Sequence, residues 1–510
     1  MQRIIYFGPP GTGKTTTLLD RMEEHLRAGV PPERIAFLTF TRRARAEAVQ
    51  RVRDVLGIDA TSLPHFRTIH SMAFRGLGLK DGDVVTTKAL KEFGVAMGLT
   101  FGAQGATELA AEGLQGNNEG DVLLALDNIA RVRGETLRAT WEKAGVNIDW
   151  IKVEHFSRSY ALYKHERAML DFTDVLLEFA RSGGRIPVDV AFIDEAQDLS
   201  ALQWYAALQA VEYADQQYIA GDDDQAIYRW AGASVEELLR LDGKQVVLAQ
   251  SYRLPAKVHA LAARIVARIR HRVPKEFRAR DDAGIIKSHA SMESLPLKYG
   301  ERWLWLVRNR YLLTSLRNHL IDKGYVYMEH GNSSVVDSDR EAIYTWERIR
   351  TGRDVSVAAA RDLYKKLSTR TQVAHGHKLI PGVAEDARVV AADLRANHGL
   401  LVDTATPWFD VLTSISLERR AYYRRLLRER RSLRIAPEVQ LETIHGAKGA
   451  ECERVAVWLE CSRRVHAEAN QTQEGADDEH RVQYVAMTRA REQLHIVAAP
   501  SRYAYDVPRN

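Results

Sequence analysis

Short apolar runs alternate with stretches of helical spacing along the first half of this chain. RIIYF (3–7) is a continuous apolar run, which predicts a buried strand. It meets GPPGTGKT and then TTLLDRMEEHLRAG, which carries helical spacing and stops at Gly29. RIAFLTF (34–40) predicts a second strand. VDVAFIDEAQD (188–198) and QQYIAGDDDQ (216–225) each read as a short apolar strand ending in acids. Strands alternating with helices predict a parallel α/β sheet. In such sheets functional residues belong at the strands' C-terminal ends, where all of these motifs fall.

Two segments interrupt the alternation. Residues 83–157 read as mostly helical and include the Gly-rich polar stretch GAQGATELAAEGLQGNNEG, expected to be a loop. Residues 331–438 also read as helical and end in ERRAYYRRLLRERRSLR, which reads as a solvated helix face or a nucleic-acid contact. Between them WLWLVRN predicts a strand and YLLTSLRNHLIDKG a helix. A last strand–helix set covers VAVWLE to QLHIVAA. The predicted fold is α/β, with two parallel-sheet cores, each carrying a helical insertion.

Composition narrows the class without naming a function. The 510 residues allow three or four domains of about 150 residues. Lysine and arginine number 72 against 67 acids, a net charge of +5, so any basic groove must be local. Two cysteines are too few for a disulfide framework or a cysteine metal site. No apolar run approaches the ~18 residues of a membrane span, and the N-terminus lacks a signal-peptide apolar region. The expected setting is cytoplasmic.

Gly8-Pro9-Pro10-Gly11-Thr12-Gly13-Lys14-Thr15 fits the phosphate-binding pattern G-x-x-x-x-G-K-[ST] in full, with Thr16 following in the helix. The glycines let backbone N–H groups face phosphates, Lys14 reaches the β/γ-phosphates and Thr15 ligates Mg²⁺. Asp194, at the end of the apolar run VAFI, is the second metal-holding group, and Glu195 beside it is the base or water-orienting group. The chemistry these residues predict is hydrolysis of a nucleoside triphosphate with Mg²⁺.

GDDDQAIYRWAGA (221–233) sets three acids directly before a glutamine, a tyrosine and a tryptophan. With IDEAQD (193–198), this resembles motifs II and III of superfamily 1 helicases of the UvrD/Rep/PcrA type. The other motifs of that family follow in order: LTFTRRARAEA, TIHS, LDFTDVL, QSYRLP, TIHGAKGAE and YVAMTRAREQL. The resemblance implies two RecA-like cores, 1A (1–82 and 158–252) and 2A (253–330 and 439–510), with insertions 1B (83–157) and 2B (331–438). It implies ATP as fuel and single-stranded DNA and its junctions with duplex as track. Gln225 would sense the γ-phosphate, Arg253 and Arg489 would contact it, Glu451 would bind the ribose and Lys448 would support its motif. Phe40, Thr41, His70, Tyr228 and Trp230 would contact DNA, the two rings of the loop by stacking on bases. The acids Asp222–Asp224 read as turn and cap residues rather than metal ligands.

The chain departs from the family in places. The glutamine motif that contacts adenine in most relatives is missing from the seven residues before Gly8, which leaves ATP preference open. Arg42, Ala231, Ala450 and Cys452 replace more usual residues. The 2B-like insertion is short, and the chain ends soon after its last motif, a compactness that suggests a phage or accessory helicase. The expected activity is an ATP-dependent DNA helicase or translocase moving 3′ to 5′, a monomer with an accessory protein for loading. Two alternatives stand beside it: an ATPase that strips proteins from single-stranded DNA or acts on RNA, and a nucleotide-gated DNA-binding switch.

Overall fold

The computed structural model describes residues 1–40, 42–102 and 118–508. The Gly-rich stretch expected to form a loop lies largely outside them. The described chain divides into two compact units.

The first unit comprises Met1–Ser291, Val307–Asn309 and Thr443–Asn510. Its main sheet has strands β1 (Gln2–Phe7), β2 (Ile35–Thr39), β3 (Phe66–Thr68), β4 (Val190–Asp194), β5 (Gln216–Gly221) and β6 (Lys244–Val247). They lie in the order β3-β2-β4-β5-β1-β6, and every neighbouring pair is parallel. A parallel sheet covered on both faces needs apolar residues at successive positions, and β2 and β4 are buried throughout. Alternate side chains feed opposite cores. Ile5, Phe7, Leu38, Ile193 and Ile219 join one. Tyr6, Phe37, Phe192, Tyr218 and Ala220 join the other. The helix α1 (Lys14–Arg27) follows β1 and packs Leu18, Leu19 and Met22 into the second core.

The chain between β3 and β4 holds the predicted helical insertion. Helices Thr87–Met97, Glu119–Arg133, Leu137–Ala144 and Trp150–Glu166 enclose Phe93, Leu123, Leu126, Phe156 and Tyr160. The last of these helices runs beyond residue 157 because Val153, Phe156, Tyr160 and Tyr163 keep a spacing of three and four and all enter that core. Elsewhere in the unit, parallel strands Cys452–Trp458, Ala490–Val497 and Ile285–His289 lie side by side, with helices Ala256–Val266 and Gln473–Met487.

The second unit comprises Met292–Leu306 and Arg310–Glu442. Strand Tyr327–Glu329 pairs in parallel with Val439–Thr443 and antiparallel with Asn332–Ser333. Its helices bury Trp346, Leu363, Tyr364, Tyr423 and Leu426 in one cluster. Asp339 is buried there and accepts from Lys366 Nζ at 2.6 Å, Arg419 Nη1 at 3.0 Å and Tyr423 Oη at 3.3 Å. The basic run forms the helix Leu417–Arg430. Arg419, Arg425 and Arg430 are engaged with Asp339, Glu429 and Glu438, while the exposed Arg428 also meets Glu429 at 3.1 Å and the exposed Arg424 lies 4.1 Å from the Phe409 ring centre.

Phe192 is stacked between Phe37, with ring centres 6.3 Å apart, and Tyr218, at 5.0 Å. Phe192→Ala should cost roughly 3–5 kcal/mol and lower the denaturant midpoint of the first unit. Val95→Ala, at an exposed position, should change it by less than about 0.5 kcal/mol. Equal midpoints for the two variants would contradict this account of the core.

Candidate nucleotide and nucleic-acid site

The C-terminal ends of β1, β2, β3, β4 and β5 bring together Gly8, Phe40, His70, Glu195 and Asp222. The phosphate loop is fastened at both sides. Gly8 N–H donates to Gly221 O at 3.0 Å. Ser251 Oγ donates to Pro10 O at 2.8 Å, and Tyr252 N–H donates to Gly11 O at 2.8 Å. Gly11 and Gly13 have φ of 72° and 80°, a region that favours glycine. A Cβ on Gly11 would lie 2.3 Å from Arg253 Cβ, so the backbone there admits no side chain. Gly13 is the N-cap of α1 and supplies no side-chain cap. The helix's first N–H groups therefore remain available to an anion.

Lys14 Nζ donates to Gly8 O at 2.7 Å, inside the loop it would serve. Thr15 Oγ1 donates to Asp194 Oδ2 at 2.7 Å, so the hydroxyl and carboxylate expected to hold Mg²⁺ are already adjacent. A hard oxygen pair at a helix N-terminus fits Mg²⁺, which takes few protein ligands beside phosphate and water. Burial, with the neighbouring Glu195 charge, pushes Asp194 up to about 7. Glu195 behaves oppositely. Burial pushes it up, but the charges of Lys14, Lys448 and Arg489 and the hydrogen bond from Gln197 hold it below its ordinary value. Gln197 Nε2 donates to Glu195 Oε2 at 2.6 Å. The two adjacent acids are thus pushed in opposite directions.

Arg489 Nη2 donates to Gln225 Oε1 at 3.1 Å, and Gln225 Nε2 donates to Asp222 Oδ2 at 2.6 Å. Burial and the nearby Arg253 charge push Arg489 down to about 9, which leaves it protonated at neutral pH. Arg253 Nε donates to Glu451 Oε2, and Arg491 Nη1 donates to the other oxygen at 3.0 Å. The structure thus places Glu451 between two guanidinium groups.

The aromatic side of the site is built on the same loop. Phe40 and Tyr228 have ring centres 5.9 Å apart, and Tyr228 and Trp230 6.1 Å. His445, given no role from sequence, holds both rings of the loop. Tyr228 Oη donates to His445 O at 3.0 Å, and Trp230 Nε1 donates to His445 Nε2 at 3.3 Å. Burial and the Arg308 charge keep its imidazole neutral. His70 meets Phe172 edge-on at 6.1 Å. Phe40, His70, Phe172 and Tyr228 line a cavity of about 660 Å³. Thr41 lies outside the described residues.

Lys448 joins the two sides. Its Nζ donates to Asp198 Oδ1 at 2.5 Å and to Gln225 O at 2.7 Å, and it lies 5.2 Å from the Tyr228 ring centre. Asp198, another residue without a role from sequence, is pushed up to about 6 by burial, against the Lys448 charge. The acids Asp222, Asp223 and Asp224 are buried around Lys275 Nζ, at 3.2 Å from Asp222 and 2.8 Å from Asp224, with Arg272 forked on Asp224 at 2.7 Å. Asp222 also accepts the Asp224 N–H at 3.2 Å, the turn role expected of it.

The UvrD/REP helicase N-terminal domain family matches residues 2–245, and the UvrD-like helicase C-terminal domain family matches residues 411–501. Together they cover about two thirds of the chain. The chain is 25% identical over 358 residues to the ATP-dependent DNA helicase PcrA of Bacillus subtilis, covering 66% of this chain and 46% of that protein. It is 25% identical over 280 residues to the ATP-dependent DNA helicase Rep of Escherichia coli, covering 51% and 40%. It is 26% identical over 323 residues to a probable DNA helicase of Mycoplasma pneumoniae, covering 58% of each. The matched part spans about half the length of these relatives.

The protonated Asp194 carboxyl is the form the fold prefers. Its stabilising share is complete below the unfolded value of about 3.9 and is lost as pH climbs through about 7. With a chelator present, Asp194→Asn should therefore gain stability relative to the parent between those two values and match it below them. Unfolding curves that stay parallel across that window would show that Asp194 titrates normally.

Proposed function

Because the chain belongs to the UvrD/Rep helicase family, we propose that it is an ATP-dependent DNA helicase that moves 3′ to 5′ along single-stranded DNA and opens duplex at the junction. The observation that carries this reading is Lys448, whose ammonium touches an acid and a carbonyl of the nucleotide side and lies over a ring of the aromatic side. Rings that stack on bases contribute about 1–3 kcal/mol per base, comparable to the roughly 1.4 kcal/mol of a DNA base-pair step. Stacking alone can trap a melted base but gives no direction. Direction requires a coupled hydrolysis cycle.

In this mechanism the N–H groups of the loop and of α1 bind the phosphates, with Lys14 on the β/γ side. Thr15 and Asp194 would hold Mg²⁺, which when bound neutralises phosphate charge. Glu195, kept ionised, orients the attacking water and accepts its proton. Arg489 and Arg253 stabilise charge on the transferred phosphoryl group, and Gln225 reports its presence. Arg253 must exchange Glu451 for phosphate, leaving Glu451 to Arg491 and the ribose. Phe40, Thr41, His70, Tyr228 and Trp230 contact the strand. We take 1–82 with 158–252 and 253–330 with 439–510 as the two RecA-like cores, and 83–157 and 331–438 as insertions 1B and 2B. We also take the protein as a cytoplasmic monomer with a loading partner. No helix among the described residues is long and apolar enough to cross a membrane.

ATP turnover measured with and without single-stranded DNA tests the reading, with Lys14→Ala as the blank. DNA should stimulate turnover strongly, and Trp230→Ala should lose the stimulation. Arg489→Ala should lower kcat by roughly 10³-fold. A duplex with a 3′ tail should be unwound and one with a 5′ tail should not. Turnover indifferent to DNA would overturn the proposal.

A further inference from the structure

Arg229 stands between the two rings of the loop in sequence, but its side chain serves another element. It is largely buried, with 15% of the side chain exposed, and meets Glu236 at 3.0 Å, Glu474 at 2.7 Å and Asp478 at 3.2 Å. Glu474 and Asp478 lie on the helix Gln473–Met487, whose C-terminal end leads into Arg489. Asp478 is shared with Arg481 at 3.1 Å. Arg481 in turn donates to Asp223 O at 3.0 Å and His271 O at 2.6 Å. The loop is therefore tied to this helix at two places, Asp223 to Arg481 and Arg229 to Glu474 and Asp478, and just beyond its end through Gln225 to Arg489.

The opposite side of the loop is pinned as well. Arg133 Nη2 donates to Arg229 O at 2.9 Å and to Trp230 O at 3.0 Å. Gly232 has φ of 101°, and a Cβ there would lie 2.8 Å from Val132 Cγ1. The backbone carrying the rings is thus fixed on the helix Glu119–Arg133, while the Arg229 side chain reaches the helix that leads into Arg489. Among the three acids, Glu474 is 74% exposed and contributes little. Asp478 is 36% exposed and also answers Arg481, so the largely buried Arg229 is the charge that losing these acids would leave uncompensated. Burial already pushes Asp478 up, against the charges of Arg229 and Arg481.

We propose that Arg229 is a positioning residue that sets the register of helix Gln473–Met487 against the ring loop, so that displacement of the rings is passed to Arg489. The proposal rests on the reading of this site as a DNA-stimulated ATPase. It differs from ring anchoring, because Arg133 and His445 already hold the rings without the Arg229 side chain. It also differs from catalysis, because Arg229 touches neither Gln225 nor the phosphate loop through any of these contacts. A helix displaced along its axis moves by about 1.5 Å per residue, enough to take a guanidinium out of hydrogen-bonding range of a phosphate.

The test compares the full chain with Arg229→Met, Arg229→Lys and Arg229→Met/Asp478→Asn. The ratio of DNA-saturated to DNA-free kcat should fall about tenfold in Arg229→Met, while half-saturation by DNA stays within about twofold. Arg229→Lys should recover part of the ratio. The double variant should match the single, because the contact Asp478 keeps, with Arg481, lies within the helix and does not link it to the loop. A parallel loss of DNA affinity would reduce Arg229 to a ring anchor, and an unchanged ratio would remove its role. Hydrogen exchange of helix Gln473–Met487 without DNA gives a readout independent of the functional reading. It should quicken in Arg229→Met and be restored in Arg229→Lys, and unchanged exchange would overturn the proposed register. A parent enzyme indifferent to DNA would count against the functional reading alone.

Discussion

A buried ammonium must find partners or lose its charge, and the partners of Lys448 come from both halves of the site. Asp198 lies three residues after Glu195, Gln225 carries the amide facing Arg489, and Tyr228 carries one of the two rings. A change at the phosphate side that moves Gln225 must move the ammonium's acceptor, and a change that moves Tyr228 must move the face it rests on. The loop from Gly221 to Ala233 holds acids and aromatics together for this reason. It is one short piece of backbone that touches the nucleotide side at Gln225 and the ring side three residues later.

The acids of that loop create an electrostatic cost that the fold answers locally. Three buried carboxylates in sequence repel one another, and Lys275 and Arg272 compensate them. The acids at the end of β4 show the complementary device. Asp194 and Glu195 are adjacent in sequence and Lys14 favours the ionised form of both, but Lys448, Arg489 and Gln197 act on Glu195. Glu195 also adopts φ of 52°, a left-handed conformation that costs energy for a side chain other than glycine. That turn redirects the chain immediately after β4.

Much of this was legible in the sequence because the signals are local. The phosphate loop is a contiguous pattern, and the buried strands are short apolar runs whose ends hold the acids. What could not be read is what distant segments do to one another. His445 lay inside a quoted motif, yet its role depends on two rings more than 200 residues earlier. Asp198 had no local mark beyond its acidity, and only the fold brings Lys448 to it. Arg229 stands between two aromatics, and an arginine inside a loop expected to stack on bases is itself a sign that it serves a different neighbour. The helix Trp150–Glu166 continues past residue 157 because the apolar spacing of Tyr160 and Tyr163 carries on the same face.

The central claim is that Lys448 couples nucleotide to nucleic acid. The most direct measurement is the affinity for single-stranded DNA with and without a non-hydrolysable ATP analogue, in the parent and in Lys448→Met. The account predicts a clear nucleotide-dependent shift in the parent, of the order of 5–150-fold, and its collapse in Lys448→Met while each ligand still binds alone. A shift that survives the loss of the ammonium, or a parent in which the two ligands bind independently, would contradict it.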